Sequence, residues 1–524
     1  MLNKLPSNRL LALAIVGGLL ILPACTTLGP DYQEPDVAWL QDWEPVSYAV
    51  TTDQAAQKRV DLRFWWQLFN DPILNKLIES ARQENLQLRI AGLRIFESRA
   101  LLGIAGSNLY PQVQQIGGAI NYVNNQSYGG DLPASNQSFG NANIGFNLGW
   151  ELDFWGRFRR GIESADAAFF ASIANQQDVQ VLISAQVADL YFAYRTTELR
   201  IVIAYKNAEI QKRSYEITDT LYRNGENSEL DLQQAKTQYL GTLSSIPALE
   251  ITLLKIRNSF SALLGRPPGD IAELIVTDYE LPVVTADSIQ KIPAKLLNRR
   301  PDIRAAAWQV ATQSAQIGIA EADYYPAISL LGSIGLSGNS LSGSSSTGSL
   351  LLGPSLQWNI FDYGRIRNNI RVQDARLQQL IESYQDAVLQ AAREVDDAAY
   401  SIQKTAEQKI LVDKAVVASE RALEIANIRY REGYADFQRV LDAQRAKFNQ
   451  AERQLQTHGD HISAVIALYK GLGGGWTDTP VEKLIPEETR ATMQERSKWG
   501  DLLTHPLSES KVKQESAQEV SKDD

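Results

Sequence analysis

The sequence predicts an α+β membrane protein built by internal duplication, and three observations carry that expectation. The first is a repeat at fixed spacing. Adding 208 takes Trp150 to Trp358, Gly156 to Gly364, Arg157 to Arg365, Asp189 to Asp397, Tyr222 to Tyr430, Gly225 to Gly433 and Gly265 to Gly473. Upstream the spacing is 215, which takes Tyr110-Pro111 to Tyr325-Pro326, so one copy holds a longer insertion between these anchors. A register kept this long means that both halves build the same elements in the same order. The second observation is a set of four stretches that alternate with period two. The third is a long proline-free run, rich in good helix formers, after each pair of alternating stretches.

The chain opens on a targeting segment. Lys4 and Arg9 precede an apolar run from Leu10 to Leu22 that is short for a membrane span. It ends in Leu22-Pro23-Ala24-Cys25, and Cys25 is the single cysteine, which removes disulfides. A lone cysteine after Leu-x-Ala looks like a bacterial lipobox, in which the cysteine becomes the lipidated first residue. Thr26 follows it, which by resemblance to other lipoproteins favours the outer membrane. The full chain carries a formal charge of −10, and loss of residues 1–24 removes two further cations and no anion. Such an acidic chain is a poor nonspecific binder of nucleic acid. No later segment reaches the length of an apolar helical span.

In the first repeat Ile144, Phe146, Leu148, Trp150, Leu152 and Phe154 point one way, against Asn143, Gly145, Asn147, Gly149, Glu151 and Asp153. Ile116, Ile120 and Tyr122 oppose Gln115, Gly117 and Asn121 in the same way. The second repeat does this at Ile328, Leu330, Ile334 and Leu336, then at Leu350, Leu352, Leu356, Trp358 and Ile360. About eleven alternating residues, tilted by about 40–45°, cross about 25 Å, the height of an outer-membrane apolar band. Gly-, Asn- and Ser-rich loops are expected at 124–140 and 338–349. Four strands cannot close a barrel, and open edges are excluded in lipid, so other copies of the chain must complete it. Two copies give eight strands and three give twelve, and the strand count alone does not choose.

Helices are expected at Arg157–Tyr222 and Arg365–Tyr430, each a rod of roughly 100 Å. They break at Asn224-Gly225 and Glu432-Gly433, where glycine can cap a helix in the left-handed conformation. Return helices run to about Leu264 and Leu472. Helices at 86–109 and 301–324, each about 36 Å long, precede the strand pairs. The apolar positions are small and spread round the helix, as in Ala165, Ala167, Ala168, Ala171 and Ala174. That surface suits packing on two neighbours with a third face in water, which favours a hollow ring over a solid bundle.

Several stretches resemble one known family. They are LPACTTLGPDY at 22–32, FWWQLFNDPILNKLI at 64–78, RRPDIRAA at 299–306, the joints WELDFWGRFR and WNIFDYGRIR, the turn YREGYADFQRVLDAQR, and the closing ALYKGLGGGW. The chain resembles the TolC-like outer-membrane efflux lipoproteins of the NodT type, the exit ducts of resistance-nodulation-division (RND) pumps. The resemblance implies a homotrimer with a twelve-stranded β-barrel continuous with a twelve-helix periplasmic tunnel, served by a periplasmic adaptor and an inner-membrane RND-type transporter. Ala307 stands where relatives often carry Glu. The expected organisation is a lipoprotein signal peptide at 1–24, a lipidated N-terminal and equatorial segment at 25–84, repeats at 85–265 and 300–474 with an equatorial connector at 266–299, and a charged, solvated tail at 475–524.

No catalytic set and no phosphate loop emerge, so an enzyme is not expected, and the covalent lipid on Cys25 is the one expected attachment. His458 and His461 have a metal-compatible spacing, but Asp460 points elsewhere on a helix, and two solvated histidines are the expectation. The informative sites are the helix turns. By resemblance, Asp442 matches a carboxylate that rings a periplasmic constriction, where three copies would repel anions and attract cations. Arg439 stands where some relatives are acidic, and Gln438 where the residue can be apolar. In the first repeat Asp231 is the counterpart of Arg439, and Gln234 that of Asp442. Tyr222, Gly225, Tyr430 and Gly433 are the candidate contacts for the adaptor.

At the strand–helix joints, Trp155, Arg157 and Arg159 (with Arg160 beside them), and Tyr363, Arg365 and Arg367 suit the inner lipid headgroup level. Cations at a helix N-terminus oppose its dipole, so a compensating anion is expected, with lipid phosphate the candidate. The competing reading is a structural lipoprotein, a periplasmic coiled-coil spacer with no use for the four strands. The exported substrate is not legible in the sequence.

Overall fold

The computed structural model describes residues 26–40, 61–125, 137–275, 279–284, 297, 299–338 and 346–507. Cys25 lies outside the described residues, as do 508–524 and the two strand-connecting loops. The elements in chain order are α1 (Pro72–Glu84), α2 (Leu86–Ser107), β1 (Val113–Asn125), β2 (Gln137–Leu152), α3 (Arg157–Arg223) and α4 (Glu229–Leu263). There follow α5 (Pro301–Ala322), β3 (Ala327–Gly338), β4 (Ser346–Gln357), α6 (Arg365–Arg431), α7 (Phe437–Gly471) and α8 (Glu487–Ser497).

The duplication holds at the level of backbone conformation. Four helices end with a glycine at positive φ: Gly225 at 76°, Gly265 at 66°, Gly433 at 78° and Gly473 at 67°. Each end makes the same two bonds. At the first turn Glu226 N–H reaches Leu221 O at 2.8 Å and Gly225 N–H reaches Tyr222 O at 2.9 Å. At the second, Tyr434 N–H reaches Arg429 O at 2.8 Å and Gly433 N–H reaches Tyr430 O at 3.0 Å. This is the Schellman pattern, which satisfies carbonyls that a helix end leaves open. One lapse is Pro247 inside α4, which removes an intrahelical donor where the second repeat has Leu455.

The chain divides into two units. Residues 1–35, 95–172 and 306–384 form the first. Its sheet is antiparallel in the order β1-β2-β3-β4. The register aligns the alternating residues into rows, such as Ile116, Phe146, Ile334 and Leu350 directly opposite one another across all four strands. The intervening rows are mostly Gly, Ser and Asn, as in Gly117, Gly145, Gly335 and Ser349, with Val113, Leu331 and Leu351 among the exceptions. The apolar rows are not covered within the chain: Ile116 is 76 % exposed and Leu350 79 %. β1 runs to Asn125 and β2 starts at Gln137, while β3 runs to Gly338 and β4 starts at Ser346, so strand takes up part of each stretch expected as loop. Phe154, Trp358 and Ile360 lie past the strand ends. The helical part of the unit packs small residues, with Ala167, Ala171, Ala311, Ala315 and Ala320 buried among Phe169 and Val310.

Residues 36–94, 173–305 and 385–524 form the second unit. Its core gathers the FWWQLF segment, where Trp65 is fully buried and stacks on Tyr469 with centroids 5.5 Å apart. Arg300, from RRPDIRAA, is buried and donates to Glu394 at 3.0 Å and to the Gly471 carbonyl at 2.7 Å. The expectation of a solvated tail at 475–524 is corrected for residues 475–507, the part that lies among the described residues. Asp478 and Thr479 take hydrogen bonds from Gln177 and Gln180 of α3, and Val481, Leu484, Ile485, Met493 and Leu503 are buried. The charge of this segment hides apolar residues whose partners lie far away in sequence. Among the described residues, no helix is long and apolar enough to cross a membrane.

Candidate functional site: helix turns and strand–helix joints

The helix turns lie in the second unit. A methyl group added at Gly225 or Gly433 would meet nothing within 4 Å, so the left-handed backbone is what requires glycine at both. Tyr222 is exposed, and so are Leu230 and Tyr434, which the sequence does not single out. Tyr430 is different. It tilts against Phe437 at 5.2 Å and packs on a small core of Ala235, Phe437, Val440 and Leu441.

Asp442 is exposed and accepts from Gln438 Nε2 at 3.2 Å. The cation beside it within the chain is Arg445, at 4.0 Å, and not Arg439. Arg439 occupies the first turn of α7, with its backbone N–H on the Asp436 carbonyl. Its counterpart Asp231 has a capping job: Ser228 Oγ donates to Asp231 Oδ2 at 2.7 Å and accepts from the Asp231 N–H at 3.2 Å. The electrostatic difference between the turns is therefore partly a difference in how the two helices begin. Gln234, Gln438 and Arg445 line a cleft of about 540 Å³ together with Gln211, Gln238 and Leu441. Both amide atoms of Gln238 are buried there without a partner among the described residues.

The joints lie in the first unit. The Trp155 ring stacks on Tyr325 with centroids 4.6 Å apart, and its indole N–H donates to Pro326 O at 2.9 Å. The anion demanded by the helix dipole is a carboxylate of the chain itself. Asp153 accepts from the N–H groups of Phe158 and Arg159 at 2.9 and 3.0 Å, and from Arg159 Nε at 3.1 Å. Arg157 lies within 4.0 Å of both Glu151 and Asp323. Arg160 is buried and bound to Leu28 O, Gly29 O, Asp31 and Glu163, so it does not face lipid. The expectation of phosphate contact is thereby corrected for Arg160, whose side chain is buried, while Arg159 keeps part of its side chain exposed beside Asp153. In the second joint Asp362 accepts from Gly364 and Ile366 in the same manner, while Tyr363, Arg365 and Arg367 are exposed.

Neither His458 nor His461 stands free in solvent as expected, His458 being half-buried. His461 is buried, and the two place their Nε2 atoms on the carbonyls of Pro282 (3.0 Å, from His458) and Val284 (3.3 Å, from His461). A carbonyl partner requires a proton on each Nε2. Burial pushes both imidazoles below their ordinary pKa. They pin the connector to α7. Among the described residues, no three His, Cys, Asp or Glu side chains gather as a metal site.

Comparison with known proteins agrees with this architecture. The family described as outer membrane efflux protein matches residues 77–266 and 292–474. The pyoverdine export outer membrane protein OpmQ of Pseudomonas putida is 29% identical over 442 residues, covering 83% of this chain and 93% of its own. The probable outer membrane lipoprotein SilC of Salmonella typhimurium is 26% identical over 470 residues, covering 89% and 99%. Among solved structures, the outer-membrane channel OprN superposes with a TM-score of 0.78 at 33% identity, covering 86% of this chain and all of its own. The chain belongs to the outer membrane efflux protein family.

Proposed function

We propose that three copies of this chain form a passive exit duct across the outer membrane, which passes small molecules outward from the periplasm for an inner-membrane RND-type transporter. The observation that carries this reading is the four-stranded sheet. Its even-numbered rows expose an apolar face, and among the described residues β1 and β4 each leave one edge without a partner. An unpaired edge is not tolerated in hydrocarbon, so copies of the chain must close the sheet on itself. Three copies supply twelve strands for the barrel and twelve long-helix columns for a tunnel beneath it. A periplasmic spacer would have no use for an apolar sheet face, and that weighs against the competing reading.

In this reading Cys25 carries the lipid and holds the N-terminus at the membrane. Arg365 and Arg367, exposed at the second joint, meet lipid headgroups. The duct narrows where α7 begins. Three Asp442 carboxylates, each held by Gln438, ring the axis, and Arg439 is left to pair with carboxylates of a neighbouring copy. A periplasmic adaptor docks on the exposed Tyr222, Leu230 and Tyr434 and along the glutamine-lined cleft, where the unpaired amide of Gln238 offers hydrogen bonds. The duct does no chemistry, and the energy for transport comes from the transporter. Light scattering of the purified protein in detergent tests the assembly: the reading expects a protein mass of three chains, and a single chain would refute it.

A further inference from the structure

The internal repeat makes a seam inside one chain and leaves half of an identical seam on each outer edge. Inside the chain, the joint of the first repeat closes on the Tyr-Pro pair of the second: Trp155 stacks on Tyr325 and donates to Pro326 O. The repeat turns Trp155 into Tyr363 and Tyr325-Pro326 into Tyr110-Pro111. These do not meet within the chain. Tyr363 is 103 % exposed and Tyr110 70 %. Tyr363 also holds φ 52°, a left-handed value unusual for a bulky residue, whereas Trp155, whose joint is filled, is not among the positive-φ residues. In the same way the β2–β3 ladder has as its equivalent a ladder between β4 and β1, the two unpaired edges. All of these residues belong to the first unit.

The structure also fixes the register of that second ladder. Val113 lies opposite Gly149, and Ala327 lies opposite Gln357. Since Gly149 and Gln357 are 208 apart, Val113 corresponds to Ala327, a spacing of 214 and not the 215 of the Tyr-Pro pairs. The extra residue is Gln112. Its side-chain amide accepts from Glu151 N–H at 2.8 Å and donates to Glu151 O at 3.2 Å, which continues the ladder in place of backbone. Carrying the observed pairs Leu148–Gly332, Trp150–Leu330 and Asn147–Ser333 across the repeat gives Leu356–Gly118, Trp358–Ile116 and Ser355–Ala119. These pairs keep the apolar face matched to the apolar face. The 215 spacing would slip the strands by one residue and place Leu356 against the polar rows.

We propose that β4 of one copy pairs antiparallel with β1 of a second copy of this chain in the register Leu356–Gly118, Trp358–Ile116 and Ser355–Ala119, and that Tyr363 of the first copy stacks on Tyr110 of the second. The inference rests on the trimeric reading above and adds to it the contacts that hold the copies together. The stack is carried over from the first joint. The indole donor is not, because tyrosine replaces tryptophan.

Cysteine pairing tests the register. Ser355→Cys is combined with Ala119→Cys, and separately with Gly117→Cys or Asn121→Cys, which lie on the same face two residues away. Within one sheet β1 and β4 are three strand spacings, about 14 Å, apart, so a disulfide between them must join two copies. Under mild oxidation the 355/119 pair should give covalent multimers at least tenfold faster than either shifted pair, with none from single variants. Faster linkage at 117 or 121 would overturn the register. The mass of the unsubstituted protein in the same detergent separates the failures: three chains with another register sinks this inference alone, and one chain sinks the assembly itself. For the stack, Tyr363→Ala and Tyr110→Ala should each lower the temperature at which the multimer dissociates in SDS, and the double variant should lower it no further. Additive losses would show that the two rings do not touch.

Discussion

Arg160 Nη2 lies 2.8 Å from Asp31 Oδ1, and the same guanidinium caps the carbonyls of Leu28 and Gly29, so a residue of α3 sews down the strap that follows Cys25. Gly318 of α5 makes room for that strap. A methyl group on it would sit 2.4 Å from Leu28 O. Arg160→Ala should weaken the unit by about 2–3 kcal/mol, since several charge-assisted bonds go and buried acceptors lose their donor. Gly318→Ala should lift the strap without removing any bond donor. In both variants proteolysis within residues 26–35 should speed at least tenfold over wild type. Unchanged cleavage would show that the strap is held elsewhere.

The turn glycines make a cleaner contrast. Gly225→Ala and Gly433→Ala each place a side chain at φ near 77° in open space, so only the backbone is strained. The expected cost is about 1–2 kcal/mol apiece, seen as a lowered thermal midpoint with fold and assembly intact. A loss of assembly in either variant would mean that the turns carry contacts beyond their caps.

Asp178 of α3 is the carboxylate most at odds with its surroundings. Burial, with Asp302 and Glu394 nearby and only partly offset by Arg300 and Lys470, raises its pKa to about 6. A raised folded pKa contributes stability below the ordinary carboxylate value and loses it as pH rises through about 6. Asp178→Asn should therefore raise the thermal midpoint by about 2–4 °C at pH 7.5 and by much less below the ordinary carboxylate pKa, at about pH 3.5. An equal effect at both values would remove the carboxylate's charge from the account.

His461 acts with the opposite sign. Its folded pKa is depressed, so its contribution is present above about 6.5 and is lost as pH falls. Acidification to pH 5.5 should lower the amide protection factors of Val283 and Val284, after correction for intrinsic exchange. His461→Asn should start low and show little of that pH dependence. Protection that stays constant in wild type would contradict the pin.

Much of the fold was legible because it rests on local periodicity. The alternation at Ile144–Leu152 depends on a two-residue repeat and the rods on an uninterrupted helical run, and both helices begin at the expected Arg157 and Arg365. The duplication fixed the turn glycines, since a backbone requirement leaves the same residue in both copies. What sequence missed was long-range. Arg160, His461 and Met493 are buried by segments far away in the chain, and nothing in their own neighbourhoods marks them. Asp153 alternates as the polar side of a strand in the sequence, yet it caps α3. The one-residue difference at Gln112 was invisible because only paired strands reveal it. At the turns Arg439 and Arg445 stand three residues to either side of Asp442, so spacing alone did not show that Arg445 is the one beside it.

In the proposed reading the protein is a passive duct whose mouth is held by Asp442. Single-channel recording of the purified protein in planar bilayers tests it most directly, comparing wild type with Asp442→Ala and with no nucleotide or partner present. Stepwise, cation-preferring conductance is expected, larger and less cation-selective in the variant. Bilayers that stay silent with both proteins would contradict the duct, and identical conductance and selectivity would contradict the gate.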